Sequence, residues 1–240
     1  MNSRQLQLYI TTESPCSYFP DRISRSLVPD PEISLNMPIY NQLIQHGFRR
    51  SGEHSYRPHC NNCKACIACR IPVEDFTNTR SQQRCINKNA DLDSAVVNAK
   101  FSTEYFELYK HYLNSRHTDG SMAHPAEEDF KQFLYSDWSD TQFIELRLKG
   151  ELVAVAVTDI ISDGLSAVYS FFNPELHRRS LGTYCILKQI ERAKESELDY
   201  IYLGYWIKQH EKMHYKINFK PLQLYIDDKW QQAVNYPITP

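Results

Sequence analysis

Four cysteines at every third position are the most chemically specific feature of this sequence: Cys60, Cys63, Cys66 and Cys69. Two cysteines separated by two residues let both thiolates turn back onto one ion, as in zinc sites and iron–sulfur clusters. We predict that Cys60, Cys63 and Cys66 bind zinc or an iron–sulfur cluster, with the remote Cys16 as the fourth ligand. The alternative is a set of reduced, partly buried thiols without an ion.

Lysines recur at every fourth residue near the C-terminus, at Lys208, Lys212, Lys216 and Lys220. The pattern predicts a helix over 207–216 that places these lysines on one face. Such a stripe, with aromatic residues beside it, suits the phosphates and bases of a single-stranded nucleic-acid end. A solvated helix face is the alternative.

The elements that must position these residues follow from apolar spacing and turn signals. Helices are predicted over 38–45, 101–116, 180–194 and 207–216, with a further helix starting at Pro125. Strands are predicted over 6–10, 48–56, 143–148, 151–161, 165–172, 199–204 and 222–226.

The second half therefore reads β-β-β-α-β-α-β, which is an α+β arrangement and the order found in the acetyltransferase-like (GNAT) fold. We predict two domains. Residues 1–98 form a smaller, cysteine-containing α+β domain with six of the seven cysteines, and residues 99–240 form the GNAT-like domain. Fold likeness alone does not give a reaction.

The start of the helix over 180–194 resembles the coenzyme A loop of GNAT proteins. Arg179 and Gly182 occupy the positions of the loop's arginine and first glycine, but Tyr184 replaces its last small residue. We predict that Arg179 and Gly182 help to bind an anion at this helix start, where backbone N–H groups point outward. The bulk of Tyr184 disfavours a pyrophosphate and therefore coenzyme A.

Composition limits the classes of function. The formal net charge is −2, so any nucleic acid must be bound by a local basic patch rather than by the field of the whole molecule. No stretch approaches the ~18 apolar residues of a membrane span. We therefore expect a cytosolic protein with no membrane partner, whose cysteines are thiols or metal ligands.

Short motifs occur along the whole chain in an order more specific than any one of them. In the N-terminal half they are Ser14-Pro15-Cys16-x-Tyr18-x-Pro20, Tyr56-Arg57-Pro58-x-Cys60 and Arg80-Ser81-Gln82-x-Arg84. In the C-terminal half they are Gly164-Leu165-Ser166-Ala167-Val168-Tyr169, Arg179-Ser180-Leu181-Gly182, Tyr202-Leu203-Gly204-Tyr205-Trp206 and Lys212-Met213-x-Tyr215-Lys216. Over roughly residues 6–230 the chain resembles the arginyl-tRNA–protein transferase family.

The short length and the cysteine spacing resemble the bacterial branch of that family. The resemblance implies transfer of leucine from leucyl-tRNA to proteins that begin with Asp or Glu, which marks them for N-end-rule degradation. No cofactor is expected to be required for the transfer. Arginyl-tRNA is an alternative donor. Two different functions also fit the residues, namely an acetyl-CoA-dependent N-acetyltransferase and a non-catalytic iron–sulfur or zinc sensor.

Candidate catalytic residues follow from the chemistry of acyl transfer to an α-amine. Asp159 is predicted to accept a proton from the incoming ammonium, or alternatively to form a hydrogen bond at the turn before Asp163-Gly164. Tyr169 and Tyr205 are predicted to orient the ester or the ribose, with core packing as the alternative. Lys208, Lys212 and Lys216 are predicted to contact the tRNA, together with Arg179 and Gly182.

Recognition of an acidic N-terminal residue requires a cation. Arginine suits a carboxylate better than lysine does, because its guanidinium can donate two parallel hydrogen bonds to the two oxygens. The candidates for this role are Arg57, Arg80, Arg84, Arg178 and Lys216. Leucine needs an apolar pocket, for which Met122 and Phe171 are the candidates.

Overall fold

The computed structural model describes residues 6–116 and 124–236. In these residues the strands are β1 (Leu8–Ile10), β2 (Ser14–Pro15), β3 (Ile23–Ser24), β4 (Ser26–Pro29), β5 (Arg49–Ser51), β6 (His54–Pro58), β7 (Ile67–Pro72), β8 (Leu92–Asn98), β9 (Thr141–Leu148), β10 (Glu151–Ile161), β11 (Gly164–Phe172), β12 (Tyr200–Trp206), β13 (Gln223–Ile226) and β14 (Lys229–Gln232). The α-helices are α1 (Met37–Gln45), α2 (Arg80–Lys88), α3 (Thr103–Arg116), α4 (Glu127–Leu134), α5 (Leu181–Glu195) and α6 (Glu211–His214).

Most strands lie in one eight-stranded sheet of order β14-β13-β7-β12-β11-β10-β9-β8. Its pairs are antiparallel except for β11 and β12, because α5 crosses between those two strands and returns the chain in the same direction. A four-stranded sheet of order β1-β4-β6-β5 lies beside it. The mixed α+β class predicted from the sequence is confirmed.

Helices cover both faces of the large sheet. On β11, Tyr169 and Phe171 contact Tyr109 of α3, whereas the intervening Ser170 forms a hydrogen bond with Cys185 of α5. Since successive residues of a strand point to opposite faces, α3 and α5 lie on opposite sides of the sheet.

Residues on both sides of the predicted boundary at 98 belong to the large sheet. β7 inserts between β13 and β12, and β8 forms the edge beyond β9. The two predicted parts therefore share one sheet. β7 was not predicted because its sequence begins inside the cysteine run. Within it Cys69 is a buried core residue, 1% exposed.

Two predicted elements are wrong. The strand over 48–56 is a hairpin, β5–β6, which turns at Gly52 with a φ of 57°. A side chain there would collide with the backbone oxygen of Gln132, so glycine is required. The helix over 207–216 is only the single turn of α6, followed by a 3-10 turn at Tyr215–Asn218.

The other predicted helices are found close to their expected limits, as are the predicted strands of the second half and the one at the N-terminus. β8 and β14 were also not predicted. Among the helices of residues 6–116 and 124–236, none combines the length and the apolar composition that crossing a bilayer demands.

Candidate active site

Two neighbouring strands of the large sheet separate at the candidate site. β11 and β12 pair only at residues 164–166 and 200–202, although both strands continue beyond this point. The register of β12 against β7 shifts between Tyr202 and Gly204. Gly204 has a φ of 71°, a left-handed conformation that glycine adopts readily. Because β12 stays with β7 and leaves β11, a gap opens between β11 and β12.

Arg49 of β5 occupies this gap. Its Nη2 donates a hydrogen bond of 2.7 Å to the carbonyl oxygen of Val168, in the part of β11 that β12 has left. A Cβ atom at Gly204 would lie 3.3 Å from Nη1 of Arg49, closer than side chains usually approach. Gly204 therefore makes room for the guanidinium. The side chain of Arg49 interacts electrostatically with Tyr18, Tyr56 and Tyr205.

Lys216 lies beside Arg49 and is only 5% exposed. Its Nζ donates a hydrogen bond of 2.6 Å to the carbonyl oxygen of Tyr205. Burial, with the positive charge of Arg49 acting in the same direction, lowers the pKa of Lys216 to about 8. The predicted placement of Lys216 on an exposed lysine stripe is therefore wrong.

The tyrosines of the gap differ in what their hydroxyls contact. Tyr205 is 2% exposed, and its hydroxyl lies 2.8 Å from the carbonyl oxygen of Tyr56 and 3.2 Å from that of Gly47. Tyr205 therefore fixes the position of β6 rather than presenting a free hydroxyl. Tyr169 is half-buried, and its hydroxyl has no hydrogen-bond partner in the described parts of the chain. Burial raises the pKa of Tyr169, which keeps this hydroxyl protonated.

Asp159 is a buried structural carboxylate. Both of its oxygens accept hydrogen bonds of 2.7 Å from Arg50, through Nε and Nη2. Tyr40 and Thr141 donate two more, at 3.0 and 2.7 Å. Asp159 is 0% exposed, and four donors saturate its lone pairs. The predicted role of Asp159 as a proton acceptor is therefore contradicted, because no lone pair remains for a substrate ammonium.

The lysine-rich segment does not present one continuous basic face. Lys212 is exposed, and its Nζ donates a hydrogen bond to the carbonyl oxygen of Arg116. Lys208 is half-buried, and Lys216 is buried. The segment nevertheless begins directly after β12, and the ring of His210 packs edge-on against Tyr18, 5.3 Å between centroids. Lys208 and Lys212 therefore lie on the chain that leaves the gap.

The four arginines predicted to bind the acidic residue are dispersed. Arg57 contacts the carbonyl oxygen of His46 and the carboxylate of Asp228. Arg80 and Arg84 are exposed on α2, and Arg178 is exposed before α5. The structure does not bring these side chains to one point.

The predicted anion site at the start of α5 is also occupied by protein contacts. The guanidinium of Arg179 forms a bidentate ion pair with Asp91, at 2.7 and 2.9 Å. Gly182 packs closely under the ring of Phe172. Of the leucine-pocket candidates, Phe171 is 0% exposed within the core, and Met122 lies outside the described residues.

The predicted cysteine ligands come together from two segments of the chain. Burial raises the pKa of the Cys66 thiol to about 12, and the nearby Cys16, Cys63 and Cys60 act in the same direction. Arg22 donates to the sulfur of Cys63 at 3.3 Å. In residues 6–116 and 124–236, however, no three His, Cys, Asp or Glu side chains are arranged to hold a metal ion.

Arg49 is a site residue that the sequence suggested only as a possible extension of the basic surface, together with Arg50, Arg178 and Arg179. The sequence did contain a clue to this placement. Arg49 and Arg50 are adjacent in a short strand, so their side chains must point in opposite directions. Arg50 enters the Asp159 cluster and Arg49 enters the gap. Only the tertiary contacts show which arginine is paired with an acid.

Comparison with known proteins identifies the family. The model of the arginine-tRNA-protein transferase N terminus matches residues 14–84, and that of the C terminus matches residues 104–226. The aspartate/glutamate leucyltransferase of Hahella chejuensis is 48% identical over 95% of this chain and 98% of that protein. The enzyme of the same name from Marinobacter nauticus is 47% identical over 96% and 98%.

The chain belongs to the arginine-tRNA-protein transferase family. The family resemblance and the aminoacyltransferase class predicted from the sequence are both confirmed. Both the gap between β11 and β12 and Lys216 lie within the part matched by the C-terminal family model, and Arg49 lies within the N-terminal match. Among solved structures, L-PGS from Bacillus licheniformis is similar with a TM-score of 0.45 at 15% identity, over 60% of this chain and 48% of that chain.

Proposed function

We propose that this transferase joins leucine from leucyl-tRNA to the N-terminus of proteins that begin with Asp or Glu. The observation that carries the proposal is the likeness, over nearly the full length of both chains, to relatives named aspartate/glutamate leucyltransferase. Since its donor and its protein acceptors are cytosolic molecules, we also propose a cytosolic location. Degradation by the N-end-rule pathway is the expected fate of the product.

The chemistry needs little from the protein beyond positioning. The α-amine of a protein has a reference pKa of ~7.7–8.0, so a useful fraction is neutral near pH 7. The aminoacyl ester is an activated acyl donor, and the amine attacks its carbonyl carbon directly. The 3′ oxygen of the tRNA leaves and takes up a proton. Tyr169, with a free protonated hydroxyl beside the gap, is our candidate for orienting the ester or supplying that proton.

The charged end of the tRNA is proposed to approach along the chain that leaves β12. Lys212 is exposed there, Lys208 is close to it, and Tyr18 and His210 pack together nearby. Exposed cations beside aromatic rings suit the phosphates and unpaired bases of an acceptor end. Arg179 and Gly182 are left out of this surface, because Arg179 is paired with Asp91.

We further propose that residues 141–206 follow the GNAT arrangement. The strands β9, β10 and β11 are antiparallel, α5 crosses over, and β12 runs parallel to β11 before leaving it. Such a separation of parallel strands leaves backbone groups of β11 unpaired and places a ligand site between the strands.

The proposed function is tested by a transfer assay with purified full-length protein. Radiolabelled leucyl-tRNA and arginyl-tRNA are offered separately, with peptides that begin with Asp, Glu, Asn or Ala. We expect label from leucyl-tRNA on the Asp and Glu peptides, and little on the others. A parallel reaction with labelled acetyl-CoA tests the rival acetyltransferase reaction.

Three results would contradict the proposal. Label transferred only from arginyl-tRNA would identify arginine as the amino acid that is transferred. Label transferred only from acetyl-CoA would identify the enzyme as an acetyltransferase. Absence of label on every peptide would reject aminoacyl transfer altogether.

We propose separately that Cys16, Cys60, Cys63 and Cys66 bind zinc or an iron–sulfur cluster. Support comes from the convergence of thiols that are far apart in sequence. In the arrangement described the thiols would have to move to share one ion. No step of the transfer is assigned to this group, because the acyl donor is already activated.

Metal analysis of protein purified without oxygen tests the cysteine proposal. We expect zinc or iron in the wild-type protein and its loss in the Cys60→Ser variant. Cys185→Ser, which replaces a buried thiol on α5, is the matched control and should keep the metal. Metal-free wild-type protein that still transfers leucine would reject the proposal.

A further inference from the structure

Two buried or half-buried cations at the gap have no acidic partner among the described residues. In the described parts of the chain, neither Arg49 nor Lys216 forms an ion pair with an Asp or Glu carboxylate. Three other arginines of low exposure have such partners: Arg50 pairs with Asp159, Arg147 with Glu104, and Arg179 with Asp91. Arg70, which is 8% exposed, also lacks an acid among the described residues, but its guanidinium donates to Gln223 and Tyr202 and stacks on the ring of Tyr200. Charges removed from water are normally paired, so two unpaired cations side by side indicate a missing anion.

Both cations carry more N–H donors than the described residues accept. A guanidinium carries five N–H donors, and within residues 6–116 and 124–236 the side chain of Arg49 makes one hydrogen bond, to Val168. An ammonium carries three. Among the residues that the structure describes, Lys216 makes one short bond, to the carbonyl of Tyr205, and a long contact with the sulfur of Met213. The remaining donors can converge on an anion in the gap, whose charge would offset the repulsion between the two cations.

The shape of the surroundings selects a small anion. Lys216 is only 5% exposed, and the guanidinium of Arg49 interacts electrostatically with Tyr18, Tyr56 and Tyr205. A phosphodiester of tRNA carries a ribose on each side, and both would have to follow it to an ammonium that is only 5% exposed. A carboxylate at the end of one or two methylene groups can enter, with its methylenes against the aromatic rings.

We propose that Arg49 and Lys216 together bind the side-chain carboxylate of the N-terminal Asp or Glu of the acceptor protein, in the gap between β11 and β12. This inference rests on the proposed function and names the residues that make it specific for acidic N-termini. It replaces the dispersed candidates Arg57, Arg80, Arg84 and Arg178. Lys216 is the one candidate from the sequence that remains.

The test measures kcat/KM for leucyl transfer to peptides that begin with Asp, Glu or Asn. The variants Arg49→Gln and Lys216→Met remove one charge each and nearly keep the side-chain volume. We expect the preference for Asp over Asn to fall about 100-fold in each variant, because one partner of a buried charge pair is lost. Transfer to the Asn peptide and the KM for leucyl-tRNA should change little.

Matched variants separate recognition from folding. Arg49→Lys keeps the charge and should retain most of the preference for Asp. Lys100→Met removes an exposed lysine remote from the gap and should behave like the wild type. Because the ratio between two peptides is measured within one protein preparation, partial unfolding lowers both rates and leaves the ratio unchanged.

The results distinguish this inference from the proposed function. A wild-type protein that transfers leucine while both charge-removing variants keep their preference for Asp would overturn the carboxylate site alone. An equal loss for all peptides with a raised KM for leucyl-tRNA would assign the cations to a tRNA phosphate and also overturn it. A wild-type protein that transfers leucine to no peptide would overturn the function itself.

Discussion

The Asp159→Asn variant is expected to lose about 3–5 kcal/mol of unfolding free energy, the usual cost of removing one partner from a buried ion pair. Arg50 is 1% exposed and would keep its charge with no carboxylate beside it. Its guanidinium would face an amide whose oxygen can accept only one of the two 2.7 Å hydrogen bonds, because the NH2 group at the other position can only donate. Urea unfolding followed by circular dichroism measures the change.

Two further variants show whether the ion pair causes the loss. Asp140→Asn changes an exposed carboxylate directly before β9 and should alter stability by less than about 0.5 kcal/mol. Combining Arg50→Met with Asp159→Leu removes both charges and should recover much of the lost stability. An Asp159→Asn variant as stable as the wild type would show that the pair does not hold β5 against β10.

The pH dependence of stability should reveal Lys216 as a buried and unpaired cation. Its pKa is lowered from 10.5 to about 8 in the folded protein. Between these values the unfolded chain binds more protons than the folded protein, so the stability contribution of this group rises with pH. The penalty of the buried charge is fully present below about pH 8. It is relieved as pH rises through 8 toward 10.5.

We therefore expect wild-type protein to gain about 2–3 kcal/mol relative to Lys216→Met between pH 7 and pH 10, at 1.36 kcal/mol per pKa unit. Denaturant unfolding of both proteins across this range gives the difference. The free energy of unfolding of Lys100→Met, which changes an exposed lysine, should depend on pH in the same way as that of the wild type. A constant difference between wild type and Lys216→Met would mean that the ammonium is not isolated from water.

Arg50 and Arg49 lie on the two sides of one strand and differ in their partners. Arg50 has a permanent partner in Asp159, which stabilises the packing of β5 and α1 on the large sheet. Arg49, the preceding residue, is paired with no acid in the described parts of the chain and faces the gap together with Lys216. A protein that only needed stability would pair or remove these charges. Their retention without a partner is what a site for an anionic substrate requires.

Local patterns predicted the second half well because its elements are long and regular. β10 and β11 are joined by Ser162-Asp163, β10 has a long run of apolar residues, and α5 carries a broad apolar face. The segment after β12 was predicted wrongly, since lysines at every fourth residue fit a helix. Burial of Lys216 and Ile217 instead turns the chain inward after one helical turn.

The sequence by itself determined the family, the class of reaction and the order of most strands and helices, because these depend on motifs and on spacing along the chain. The tertiary structure decided which charges are available. Asp159 was predicted to be a proton acceptor, but the structure places Arg50 against it. Arg49 received no specific role from the sequence, and the structure places it between two separating strands. The physical reason is that the state of a charged group depends on neighbours and water exposure, and both are set by residues far away in sequence.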